Sequence, residues 1–398
     1  MATIEQDPVV IAAAVRTPMG ALQGSLASLS APQLGSAVLA AALARGHVAA
    51  EAVQQVLMGC VLPAGLGQAP ARQAALGAGL PLGVACTTLN KMCGSGMQAA
   101  IFAHDQLLAG SAEVVLAGGM ESMSNAPYLL PKARAGYRMG HGQVLDHMFL
   151  DGLEDAYDKG RLMGTFAEDC ASAEGIGRQA QDQWALSSLQ RAREAIESGA
   201  FNAEVVGLDT HVGKQAVKVR HDEQPPKARP EKIPELRPAF CEGGTVTAAN
   251  SSSISDGAAA LLMMRQSQAQ TLGAPVLAVI RGHAVHADAP GLFPLAPVGA
   301  IQRLLPKVGW AQGDVDLFEI NEAFAVVALA AIQRLQLDPA RVNVNGGACA
   351  LGHPIGASGA RILVTLIHAL RQRSLRRGVA AICIGGGEAT AMALEIPD

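Results

Sequence analysis

Aromatic and charged side chains are scarce in this chain. Phe, Trp and Tyr make up 3% of its 398 residues, and Asp, Glu, Lys and Arg 16%. Half of the residues are hydrophobic, which excludes a disordered chain, since disorder needs the opposite balance. With 30 Lys and Arg against 34 Asp and Glu the net charge is −4, which argues against nucleic-acid binding through bulk positive charge. The seven cysteines form no Cys-x-x-Cys pair, so neither a disulfide framework nor a structural zinc site is expected. The opening Met-Ala-Thr-Ile-Glu-Gln-Asp lacks a basic stretch followed by an apolar one and does not read as a secretion signal. The longest apolar stretch, around 323–332, falls short of the roughly 20 residues that cross a bilayer. A cytoplasmic globular protein with no membrane partner is expected.

What is abundant is glycine, 44 residues, and the length gives room for two or three domains of about 150 residues each. Residues 9–15 form an apolar run stopped by Arg16-Thr17-Pro18 and read as a buried strand. Further strands are expected at 53–58, 85–89 and 113–117, the last closed by Gly118-Gly119, with helices at 31–45, capped by Gly46, and 97–108. This alternation predicts an α/β domain with a largely parallel sheet. Residues 120–157 read as a loop excursion, 166–201 as helical, 214–237 as an irregular basic surface segment, and 256–264 as a helix. After Pro275 the pattern returns, with strands at 275–280, 317–320 and 379–384 and helices at 322–335 and 360–370. The shared order predicts two similar α/β halves with an inserted lobe.

Cys93 stands between a predicted strand and helix, followed by Gly94 and Gly96. A thiol at a helix N-terminus feels the positive end of the dipole, which favours thiolate, and the glycines let a carbonyl approach the backbone. The alternative is a buried core cysteine, the reading adopted for Cys60, Cys86, Cys170 and Cys241. His353, enclosed by glycines ahead of a helix, is placed to reach a ligand and to act as base to a thiol. Cys383 ends an apolar strand before three glycines; alone it reads as structural, but with Cys93 and His353 it makes a candidate cleft at strand ends. Asn321 is either a helix cap or a polar group holding water or substrate oxygen. Gly94–Ala99 and Gly175–Ala180 match a dinucleotide fingerprint without its acidic partner, and His283 and His286 read as loop histidines, so no metal is expected.

Asn90-Lys91-Met92-Cys93-Gly94-Ser95-Gly96, Gly118-Gly119-Met120-Glu121-Ser122-Met123-Ser124, Asn321-Glu322-Ala323-Phe324-Ala325, Gly352-His353-Pro354-Ile355-Gly356 and Cys383-Ile384-Gly385-Gly386-Gly387 together resemble the motifs of thiolases, as does Arg16-Thr17-Pro18. The resemblance spans essentially the whole chain and is strongest to the acetyl-CoA acetyltransferase branch. It implies a five-layered αβαβα arrangement, divided as 1–122 plus 254–274, a loop domain at 123–253, and 275–398. It implies that Cys93 is acylated, that His353 takes its proton, and that Cys383 exchanges a proton with the substrate carbon. The N–H groups of Cys93 and Gly385 would form one oxyanion hole, and His353 with a water on Asn321 the other. Ala248, Ser252, Met163 and Phe324 would line the substrate tunnel, with Lys227 and Arg229 in the basic segment meeting the phosphates of coenzyme A. Coenzyme A thioesters are then substrates, no cofactor is needed, and a homotetramer built as a dimer of dimers is expected. The chain departs from common thiolase patterns at Arg161-Leu162-Met163-Gly164, around Leu292-Phe293-Pro294, and at Glu388-Ala389, which bears on chain length and coenzyme contacts. Alternatives are a thiolase of broader chain length, a Cys/His hydrolase, a decarboxylating ketoacyl synthase and a non-catalytic lipid carrier of the same fold.

Overall fold

The computed structural model describes residues 7–397. The first sheet orders its strands as β3 (Ala85–Leu89), β2 (Gln55–Gly59), β4 (Val114–Ser122), β5 (Ser255–Arg265) and β1 (Val9–Arg16). The second orders β6 (Ala278–Ala287), β9 (Glu388–Glu395), β8 (Arg377–Ile384) and β7 (Leu317–Ile320). A short antiparallel contact, Val10 and Ile11 of β1 against Val279 and Ala278 of β6, joins the two at their edges. Helices α1 (Ala31–Gly46) and α2 (Pro70–Gly77) cover the outer face of the first sheet. Two more, α3 (Ser95–Ala109) and α8 (Ile355–Gln372), lie between the sheets. On the outer face of the second are α6 (Ala296–Lys307) and α7 (Ala325–Leu335). The five αβαβα layers expected from the resemblance are therefore present.

The halves repeat in order: β1, α1, β2, α2, α3 and β4 of the first are matched by β6, α6, β7, α7, α8 and β8 of the second, which has no strand at the place of β3, and α3 and α8 share the central layer. In the second half β8 turns directly into its antiparallel neighbour β9. In the first half the equivalent neighbours β4 and β5 are separated by residues 123–254, which carry α4 (Met163–Glu174) and α5 (Arg178–Glu197).

Three corrections to the sequence reading follow. Residues 256–264 are not helical but lie in β5, the strand between β1 and β4. Leu261 and Met263 face the central layer while Leu262 and Met264 face α1, so both faces are apolar and no alternation marks the strand. The sheets are mixed, not largely parallel: β2 with β3 and β4, and β7 with β8, are parallel, whereas β5 and β9 run antiparallel to their neighbours. His283 and His286 belong to β6 and are not in a loop. Smaller differences concern ends. The cap of α1 is His47, left-handed at φ 52°, one residue past Gly46. The strand begun at 113–117 runs on to Ser122, and the predicted helix at 166–201 is two, broken at Gly175-Ile176-Gly177.

Every residue of α8 from Ile355 to Leu370 is buried, as a central-layer helix must be. Its charge is matched: Arg361 pairs with Glu319 at 2.8 Å, both almost wholly buried. The first turn of α8 presses on β4, where a Cβ on Gly119 would sit 2.0 Å from the carbonyl oxygen of Gly356. Backbone cannot yield there as a side chain can, so Gly119→Ala is expected to destabilise the fold by about 3 kcal/mol or more. Urea unfolding checks this; an unchanged midpoint would show that the sheet and α8 are not in register here.

Candidate active site

The loop after β3 is held by its own side chains. Asn90 Oδ1 accepts from the Met92 N–H at 2.9 Å, while Ser95 Oγ accepts from Lys91 N–H at 2.8 Å and donates to the Met92 carbonyl at 2.6 Å. These bonds hold Met92 in the left-handed region, φ 46°, a strained conformation for a side-chain-bearing residue. The turn presents Cys93 just ahead of α3. A Cβ on Gly94 would lie 2.3 Å from Ile384 Cδ1, so this turn packs directly against the end of β8 that carries Cys383. Beyond β8, Gly387 has φ 86°, and a Cβ there would meet the Asp288 carbonyl oxygen at 2.4 Å. Glycine is required to bend the chain back so that Gly385 faces Cys93.

His353 is fixed from both sides. Its N–H donates to the Ser253 carbonyl at 3.0 Å, and Nδ1 lies 2.6 Å from Ser358 Oγ. Because the Ser358 hydroxyl donates to the Pro354 carbonyl at 2.9 Å, its oxygen is left to accept, which places the ring proton on Nδ1. Nε2 is then an unprotonated acceptor, buried and without a partner among the described residues. Asn321 is oriented by Arg361, whose Nη2 lies 3.3 Å from Asn321 Oδ1. A guanidinium only donates, so Oδ1 faces it, and the buried Nδ2 is the atom left unpartnered.

Cys93, His353, Cys383 and Gly385 line one cavity of about 410 Å³, together with Met163, Ala248, Ser252 and Phe324. Ser252 is held by two hydrogen bonds to the Ala323 carbonyl, so the loop lining the cavity is sewn to the Asn321–Ala325 motif. Asn321 itself lies outside the cavity lining. Arg229 lines a second cavity of about 330 Å³ that shares Ala248 and Ser253 with the first, and Lys232 lines it too. Lys227 lines neither; its ammonium is 2.6 Å from Glu223 Oε1.

Several residues of the site carried no assigned role in the sequence. Glu121 is buried and accepts from the N–H groups of Val61, Leu62 and Gly356 at 2.9–3.1 Å, tying the β2 end to the His353 loop. Glu322 accepts from Trp184, Ser188, Asn343 and the Cys349 N–H, which fixes α5 against the second half. Ser358 and Arg361 orient His353 and Asn321. Only their place within recognised motifs, or one helical turn beyond, could have pointed to them. At the departures, Glu388 pairs with Lys91 of the Cys93 loop, and Arg161 stacks 3.9 Å from the Phe166 ring centre.

Burial dominates the electrostatics. It raises the Cys93 thiol to about 11, although the N–H groups of Gly385 and Cys93 itself face the sulfur and pull the other way. The helix terminus expected to favour thiolate is thus outweighed by desolvation. Burial, and then the nearby Cys93 sulfur, push Cys383 well above the ordinary thiol value. For His353, burial and the Arg361 charge lower the pKa to about 3. At rest both thiols and the imidazole are neutral.

This has a consequence for stability. The unfolded chain binds a proton at His353 below 6.5 and the folded chain only near 3, so folding is disfavoured as pH falls through that window. Glu121 and Glu319, raised by burial from 4.5 to about 7, act with the opposite sign between those values. Burial of Glu223 is outweighed by Lys227 and the Ala21 and Ser25 donors, which lower it from 4.5 to about 2 and add to the acid loss. The thermal midpoint is expected to rise from pH 7 to 4.5, where two raised carboxyls outweigh one lowered imidazole, and to drop below that, where only the losses remain. His353→Asn should make that acid drop shallower; calorimetry showing the same slope in both would contradict the buried neutral imidazole.

Fold and site together define a class: two tandem α/β halves bringing two thiols and an imidazole to one apolar cavity. The chain belongs to the thiolase family, matching its N-terminal domain over residues 9–267 and its C-terminal domain over 274–396. It is 48% identical to a probable acetyl-CoA acetyltransferase of Escherichia coli over 97% of this chain and 98% of that one. An acetyl-CoA acetyltransferase of Pseudomonas aeruginosa is also 48% identical, with the same coverage. The crystal structure of the Bacillus anthracis acetyl-CoA acetyltransferase superposes with a TM-score of 0.95 at 41% identity, covering 98% of this chain and 99% of the other. A thiolase from Ascaris suum crystallised with coenzyme A gives 0.92 at 41% identity, with 98% and 100% covered. Among the described residues no helix is long and apolar enough to cross a membrane.

Proposed function

We propose that the chain is an acetyl-CoA C-acetyltransferase, interconverting two acetyl-CoA with acetoacetyl-CoA and coenzyme A through an acyl group on Cys93. The observation that carries this is the meeting of Cys93, His353, Cys383 and Gly385 on one cavity. In the cleavage direction the Cys93 sulfur attacks the 3-oxo carbon as its proton passes to His353 Nε2. The resulting oxyanion lies between N–H donors, each worth roughly 3 kcal/mol in such a site. Collapse breaks the carbon–carbon bond, and the departing enolate takes the proton of Cys383, a thiol whose raised pKa keeps that proton available until a carbanion forms. Coenzyme A then gives its thiol proton to the Cys383 thiolate and attacks acyl-Cys93. Cys93 leaves and recovers its proton from His353, so every group ends as it began. Condensation is the same path reversed.

Once protonated, His353 can donate from Nε2 to an oxyanion beside a water on Asn321 Nδ2. No cofactor enters any step. The second cavity, with Arg229 at its wall, fits the distal part of a coenzyme A thioester, and Arg229→Ala is expected to raise KM about tenfold, more at low salt than at high. Lys227, already paired with Glu223, is assigned the smaller share. Salt-dependent KM measurements check both. A homotetramer in the cytoplasm and a place in fatty acid metabolism complete the reading. The half-exposed edge strand β3 and the exposed Tyr128, Leu130 and Met139 support assembly, which light scattering tests directly. The activity test is coenzyme A-dependent cleavage of acetoacetyl-CoA beside longer 3-oxoacyl-CoAs, with Cys93→Ala as control. Cleavage of none, or full activity in the control, would end the proposal; a preference for long chains would move it to the broader-range thiolases.

A further inference from the structure

A cluster of donors remains that the reaction does not use. His104 and Asp105 lie on the third turn of α3, and His283 comes from β6 in the other half, 178 residues away from Asp105 in sequence. Asp105 Oδ1 is 3.1 Å from His104 Nδ1 and 2.9 Å from His283 Nε2, and a ligand atom from each of the three residues lies within 4.8 Å of the other two. The imidazole rings meet edge to face, with centres 5.1 Å apart. Both histidines are largely buried, while the Asp105 side chain is 53% exposed, so the cluster opens to solvent on the carboxylate side.

We propose that His104, Asp105 and His283 form a binding site for a divalent transition-metal ion of the Zn²⁺ type, which staples α3 of the first half to β6 of the second. Two imidazoles and one carboxylate are a donor set such ions take, with water completing the shell. Ligand atoms around tetrahedral zinc sit about 3.3 Å apart, so the oxygen is already at ligand distance from both nitrogens, and the imidazoles close by at most about 1.5 Å. On binding, Asp105 exchanges two hydrogen bonds for one metal bond. The ring protons then sit on His104 Nε2 and His283 Nδ1, away from the ion. One group opposes the ion: the Lys307 ammonium, which donates to the His283 carbonyl at 2.9 Å and whose charge reaches His104. The Asp105 carboxylate offsets it. The sequence did not join His283 to these residues because its partners come from the other half of the chain.

The test uses the full chain carrying Cys93→Ala and Cys383→Ala, so that the reactive thiols cannot hold metal, after chelator treatment. Zn²⁺ is titrated by calorimetry and Co²⁺ by visible absorption. One ion per chain is expected, with nitrogen and oxygen ligation and no thiolate charge-transfer band. His283→Ala should weaken binding at least about 100-fold, Asp105→Asn less, and Lys307→Gln should tighten it. Zn²⁺ should raise the thermal midpoint of the parent but not of His283→Ala, whose acyl-transfer activity in the otherwise native chain should be unchanged. No bound ion, a thiolate band, or affinity indifferent to both His283→Ala and Asp105→Asn would overturn the proposal.

Discussion

Cys93→Ser is expected to lower turnover by about 10,000-fold or more, although it changes a single atom. The cavity that raises the Cys93 thiol to about 11 penalises a hydroxyl further, because the alkoxide is the less stable anion. The base is weak as well: with its pKa lowered to about 3, His353 can accept a thiol proton as a bond forms, but not that of an alcohol. Any acyl group reaching the introduced hydroxyl would be held as an ester, which coenzyme A attacks less readily than a thioester. The loss should fall on kcat, with KM for the thioester nearly unchanged, since the cavity walls are untouched. Steady-state kinetics separates the two; a loss confined to KM would mean that Cys93 binds substrate and does no chemistry.

Cys383→Ala is expected to divide the reaction. Removing the group that exchanges a proton with carbon should cost about 1,000-fold in cleavage and condensation, within the range for a lost general acid–base. Acylation of Cys93 by acetyl-CoA uses Cys383 only to protonate the departing coenzyme A thiolate, a good leaving group without that help, and should fall by no more than about tenfold. Pre-steady-state kinetics with acetyl-CoA reads the acylation, and the coupled assay reads carbon–carbon chemistry. Equal loss of both would assign Cys383 to positioning Cys93, whereas loss of neither would favour a Cys/His hydrolase.

Much of this site was legible because it sits where strands end and glycines cluster. Cys93 follows β3, Cys383 ends β8 and His353 precedes α8, each near glycines, and the left-handed backbone at Gly352 and Gly387 shows glycine to be required there. The repeat was legible in its order but not in one element. Between two apolar layers β5 has no polar face, and its Ala, Leu and Met content imitates a helix. The supporting residues were hidden for another reason. Ser358 and Arg361 act through hydrogen bonds to His353 and Asn321, and nothing in a one-dimensional pattern distinguishes such a serine or arginine from any other on a helix. Burial was the remaining gap. Position at a helix terminus suggested a thiolate, but only the folded chain reveals that desolvation of the part-buried Cys93 thiol outweighs the N–H groups around it.

The central claim is that Cys93 carries the acyl group. The most direct measurement is to mix the chain with acetyl-CoA alone, quench in acid, and map the product by mass spectrometry. One acetyl group on the Cys93 peptide is predicted, removed when coenzyme A is added before the quench and absent in Cys93→Ala. An acetyl group on another residue, or a chain that stays unmodified while it still turns over, would contradict the account.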